Sequence, residues 1–125
     1  MLSIADRIWN RACLEVVSSL GAGDIALAAM VRFDGVVQNG GFIHAVGVFS
    51  PEELAGAKAG FRYFDFEEVA QLIAEAQFII SVSGELTPSG EDLDRRYATM
   101  TISGSDLQAR FKETFARSPS EFAPV

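Results

Sequence analysis

The sequence predicts an all-α fold, a single helical domain over residues 1–125 built from about six or seven helices. Three observations carry this reading. Apolar residues recur at spacings of three and four through most of the chain, which is the phase of one helix face. Helix starts are written in hydroxyls, proline and carboxylates, most clearly at Ser50-Pro51-Glu52-Glu53. Clusters of glycine, proline and polar residues, clearest over 85–90, separate the periodic segments.

Taken in order, Ser3 and Asp6 form a capping pair, and Ile4, Ile8, Ala12, Val16 and Leu20 recur every fourth residue beside Trp9, Cys13 and Val17. Gly21 and Gly23 end this first helix, and Cys13 on its stripe reads as a small buried hydrophobe. Asp24 is placed to cap a second helix, with Ile25, Ala28, Ala29, Phe33 and Val36 inward and Arg32 and Asp34 toward water. That helix runs into Asn39-Gly40-Gly41-Phe42. Asn39 and Gly40 suit the left-handed conformation that closes a helix, and Gly41 permits a second unusual torsion or a close backbone approach. Phe42 restarts the chain as a core anchor, so a sharp corner packed in the core is expected. Paired glycine N–H groups also raise an anion cradle, for which Arg32 is the nearby cation, but glycine pairs more often mark turns.

Residues 42–49 read as one or two loose helical turns, followed by the helix capped at Ser50 with Leu54, Ala57 and Phe61 inside. Asp65-Phe66-Glu67-Glu68 repeats the cap-then-acid order and opens a helix through Val69, Leu72, Ile73, Ala76 and Ile80. Apolar residues occupy most of its circumference, which predicts a central position. The run Phe78-Ile79-Ile80-Ser81-Val82 suits a strand by composition, yet the helix formers before it and the absence of a breaker before Gly84 favour helix. A helix from Glu91 to Met100 follows, with Leu93, Tyr97 and Met100 inward. Ser103-Gly104-Ser105-Asp106 caps a last one on Leu107, Phe111, Thr114 and Phe115. Pro119 ends it, and Phe122 is expected to anchor the tail.

The order and spacing of the Asn39-Gly40-Gly41-Phe42 corner, the acidic capped helix from Ser50, and Leu93-Asp94-Arg95-Arg96-Tyr97 followed by Phe111 and Phe122 resemble a small all-helical NGGF-motif family whose best-known member is a DNA-mimic protein. The corner is the specific part of this likeness. After it, Ile43-His44-Ala45-Val46-Gly47 stands where the family tends to carry a polar and aromatic run. The resemblance implies a homodimer that presents a DNA-like array of carboxylates to a transcription factor.

Charge points the same way by a separate route. The net charge is −7, from seventeen acidic and ten basic residues, which disfavours direct nucleic-acid binding and favours a basic partner. The acidity is regional: from Glu52 to Asp94 ten acidic residues face two basic ones, a balance of −8, and the remainder sums to +1. Glu52, Glu53, Asp65, Glu67, Glu68, Glu75, Glu91, Asp92 and Asp94 form a candidate acidic interaction surface, although acids in first helical turns also serve capping and the helix dipole.

Chemistry for catalysis is sparse. His44 is the lone histidine and Cys13 the lone cysteine, so no disulfide within the chain and no metal site of the usual His and Cys kind is expected. Neither a nucleophile-elbow pattern nor a phosphate-binding glycine loop is present. No cofactor, no metal and no catalytic residue is therefore expected. With no signal peptide or membrane-spanning stretch evident, a cytoplasmic location without membrane association follows. The leading reading is a non-catalytic acidic protein-interaction module for a basic partner such as a transcriptional regulator or a toxin. The alternative is a small hydrolytic or ligand-binding enzyme using His44 beside the glycine corner.

Overall fold

The computed structural model describes residues 3–14, 21–84, 90–101 and 104–124, in which helices are joined by short turns, with no strand among the described residues. The helices are α1 (Ile4–Leu14), α2 (Ala22–Gly40), α3 (Phe42–Val48), α4 (Pro51–Tyr63), α5 (Glu67–Ser83), α6 (Gly90–Thr101) and α7 (Gly104–Arg117), closed by a 3-10 turn at Pro119–Glu121. The all-α expectation of six or seven helices holds. The second half of the expected first helix, the 85–89 loop and the Ser103 cap lie outside the described residues.

α2 is the axis of the molecule. It shares its largest interface with α4 and packs also on α1, α3 and α7, while α5 lies on α4, and α6 bridges α3 and α5. The α2–α4 contact is a backbone approach: a Cβ added to Gly60 would lie 2.5 Å from the Ala26 carbonyl oxygen. Two aromatic groups fill the interior. Phe33, Phe42, Phe61 and Tyr97 meet at centroid distances of 5.4 to 6.4 Å, and Phe111 gathers Trp9, Phe64, Phe115 and Phe122 at 5.5 to 6.3 Å. Phe122 thus anchors the tail as expected, its ring filling the space over Gly23. Each such buried ring stabilises the fold by roughly 1.5–3 kcal/mol relative to exposure.

Local signals worked where the cap and its partner are neighbours in sequence. The Ser50 hydroxyl accepts the Glu53 N–H at 3.1 Å, and the Glu53 carboxylate accepts the Ser50 N–H at 2.9 Å, a complete capping box with Pro51 at the first helical position. At the start of α1, Ser3 and Asp6 make the same reciprocal exchange. The run 78–82 is helical, and α5 ends on left-handed Gly84, whose N–H reaches the Ile80 carbonyl.

Five placements differ from expectation. Asp24 caps α2 from its third position and not as the N-cap: 1% exposed, its carboxylate accepts the N–H of the N-cap Gly21, the Ala123 N–H and the Arg11 guanidinium. Asp34 is buried, not solvent-facing, and accepts the Tyr97 hydroxyl at 2.8 Å. With both acids inside, Ala26, Leu27, Met30 and Phe33 form the inner face of α2, and Ile25 turns outward. Asp65 does not cap α5: it holds φ at 64° in a Schellman turn closing α4, with Phe66 N–H on the Phe61 carbonyl and Asp65 N–H on the Arg62 carbonyl. Cys13 is exposed rather than buried.

Candidate functional site

The corner is made by one residue. Asn39 and Gly40 remain in the last turn of α2, and only Gly41 has a positive φ, 95° with ψ 164°. Its N–H closes α2 on the Val37 carbonyl at 2.7 Å, and its own carbonyl accepts the Ala45 N–H to open α3. Gly40 serves differently: the His44 ring occupies the space a side chain there would need. Asn39 and Gly40 are exposed and Gly41 half-buried, so of the four corner residues only Phe42 enters the core.

An anion does sit at this corner, and the chain supplies it. Asp94 of α6 accepts the Phe42 N–H at 2.5 Å, capping the positive end of α3 from a distant helix. The corner is therefore an internal clamp between α3 and α6. Arg32 is engaged elsewhere, pairing with Glu53 at 3.0 Å and lying over the Phe49 ring.

The other acidic candidates divide by their partners. Glu67 pairs with Arg62 at 2.8 Å and Glu75 with Arg96 at 2.8 Å. Asp92 stands 3.7 Å from both Arg95 and Arg96, and Asp65 4.0 Å from Arg117. Hydrogen bonds from Ser50, its N–H first, together with Arg32 hold the Glu53 carboxyl below its ordinary pKa. Glu52, Glu68 and Glu91 are exposed and make no ion pair among the described residues. Much of the acidity is thus tied to the chain's own cations. Two of these pairs were legible, since within α6 Asp92 to Arg95 is an i,i+3 pair and Asp92 to Arg96 an i,i+4 pair, whereas Arg62 meets Glu67 only across the turn between α4 and α5. Arg32 with Glu53 and Arg96 with Glu75 needed the packing of helices.

His44 is exposed, and among the described residues neither a carboxylate nor a serine hydrogen-bonds its ring. A groove of about 380 Å³ opens near the start of α5, lined by Asp65, Phe66, Glu68 and Arg110 among others, and His44 is not part of it. Arg110 stacks on Phe66 and donates to the carbonyls of Phe64 and Asp65, so this cation serves the α4–α5 turn. No helix among the described residues is long and apolar enough to cross a membrane. Sequence reasoning missed one surface feature: Phe78 and Val82, four residues apart on α5, are 67% and 70% exposed. No protein-family model, curated protein or solved structure matches the chain.

Proposed function

We propose that this chain is a non-catalytic protein-interaction module whose acidic side attracts a basic protein, such as a transcriptional regulator or a toxin. The observation that carries the reading is the set of exposed carboxylates that make no ion pair among the described residues, Glu52, Glu68 and Glu91, within the segment that holds the chain's excess negative charge. Free carboxylates steer a cationic partner at a distance, and each pair contributes roughly 0–1 kcal/mol, so attraction grows with their number. DNA mimicry is the narrower form of the same reading. It requires many simultaneous charge contacts and hence a steep loss of binding with salt. The resemblance also implies a homodimer, which sedimentation at two protein concentrations tests.

The test replaces Glu52, Glu68 and Glu91 together by Gln and compares capture of basic proteins from the native host at low and moderate salt. Glu67, Glu75 and Asp94 are left intact, because their partners lie within the fold. Wild type is expected to retain a basic protein that the triple variant loses and that salt releases. A partner held equally by both proteins at both salt levels contradicts the proposal and assigns its binding to an apolar surface.

A further inference from the structure

α5 turns one continuous stripe outward. Val69, Ala70, Leu72, Ile73 and Ala76 are buried, whereas Glu68, Gln71, Glu75, Phe78 and Val82 are exposed. The exposed five follow one another at spacings of three, four, three and four, the seam spacing of a two-helix contact. Over about 21 Å of helix the stripe changes character, from carboxylate at Glu68 and Glu75 to apolar at Phe78 and Val82. The Arg96 pair with Glu75 marks the α6 flank, and the Lys58 hydrogen bond to Gln77 marks the α4 flank, so the stripe runs open between its two neighbours.

A second copy of the chain complements the apolar end of this stripe alone: antiparallel pairing centred on Ile80 sets Phe78 against Val82 but brings no cation to Glu68. Self-pairing along the whole stripe, antiparallel about Glu75, sets Glu75 against Glu75 and Val82 against Glu68 and brings Phe78 beside Gln71. Parallel self-pairing sets Glu68 against Glu68 and Glu75 against Glu75. Like charges or mismatched polarity result from both full overlaps. A different helix, with apolar residues at one end of its seam and cations at the other, satisfies both halves.

We propose that the stripe Glu68, Gln71, Glu75, Phe78 and Val82 docks one basic amphipathic helix of a partner protein, apolar residues over Phe78 and Val82 and cations over Glu68 and Glu75. This rests on the basic-partner reading and adds where the partner binds and in what form. Phe78 and Val82 supply the anchors, and Glu68 selects the direction in which the helix lies. Because Glu75 already holds Arg96, the incoming cation shares or replaces an existing pair, so most of the affinity resides at the apolar end.

The experiment titrates the full chain with two synthetic helical peptides of identical composition. In one, two leucines and two lysines occupy opposite ends of a single 3-4 seam; in the other, the same residues are dispersed around the helix. The seam peptide is expected to bind about tenfold more tightly than the dispersed one, and Phe78→Ser or Val82→Ser to remove about that factor. Glu68→Gln is expected to flatten the salt dependence while leaving the apolar contribution. Both apolar variants alter exposed positions, and an unchanged helical spectrum and Tm show that they fold. Equal binding of the two peptides overturns the docking proposal and leaves the basic-partner reading standing; binding of neither overturns both. Self-association of wild type that Phe78→Ser abolishes also overturns the proposal, because a second copy then occupies the stripe.

Discussion

Asp94 and Gly41 act as one device at the corner, the first accepting the Phe42 N–H and the second supplying a backbone conformation that a side chain opposes. Asp94→Ala removes the cap of α3 and is expected to cost about 1–2 kcal/mol. Asp92→Ala on the same helix, which removes only the 3.7 Å contacts to Arg95 and Arg96, should cost about 0–1 kcal/mol. Urea unfolding of the two variants separates cap from surface charge, and equal losses would refute the clamp. Gly41→Val is expected to cost about 1–3 kcal/mol by the same measurement, whatever the space available, because of its φ. The glycine was readable from the sequence; the role of Asp94 was not, because helical phase gives a residue's face and not what stands opposite. A hint existed in that Asp94 precedes inward Tyr97 by three residues, which puts it on the inner side of α6. Asp34 gave a similar hint, falling at i+7 and i+4 from buried Leu27 and Met30.

At the scale of helices, α4 tests the same substitution in opposite directions. Gly60 faces α2, where a Cβ meets the Ala26 backbone, whereas Gly56 faces open space. Gly60→Ala is expected to push two helices apart and cost about 1–3 kcal/mol. Gly56→Ala is expected to gain about 0.5–1 kcal/mol from helix propensity alone. Thermal unfolding of both variants checks the signs, and a stabilising Gly60→Ala would show that α2 and α4 part readily to admit a side chain. Helix existence was legible throughout the described residues, since amphipathic spacing and caps such as Ser50 with Glu53 are local. Helix ends were legible only where the cap was local too. At Asp65 the letters of a cap serve the end of the preceding helix, because Phe66 packs on Phe61 and draws the chain into a Schellman turn. The exposed stripe of α5 was hidden for a related reason: apolar residues all around a helix suggest a central position, and only the lengths of α4 and α6 decide how much of α5 is covered.

For the molecule as a whole, buried acids join distant parts of the chain. Asp24 and Arg11 hold α1, the start of α2 and the tail carbonyls of Ala123 and Pro124 together, and Asp34 holds α2 to Tyr97 of α6. The second junction makes stability depend on alkaline pH. Burial, reinforced by the neighbouring Asp34 carboxylate, pushes the Tyr97 hydroxyl far above its ordinary value. Burial and then Glu121 raise Tyr63 to about 12. In the unfolded chain both titrate near pH 10. Between that pH and the raised folded values the unfolded state has lost protons that the folded state keeps, so stability is full below about pH 10 and falls as pH rises. For Tyr97 the expected slope is about 1.4 kcal/mol per pH unit above about pH 10. Tyr97→Phe should lower stability at neutral pH, because the Asp34 carboxylate loses a hydrogen bond, yet flatten this alkaline slope. Urea midpoints across pH 8 to 12, with tyrosinate absorbance followed alongside the helical signal, measure both effects at about half-unit steps. Tyrosinate from Tyr97 should appear together with loss of helix. Its appearance near pH 10 with the helical signal intact, or an unchanged slope in Tyr97→Phe, would show that the Tyr97–Asp34 junction is open to solvent and does not hold α2 to α6.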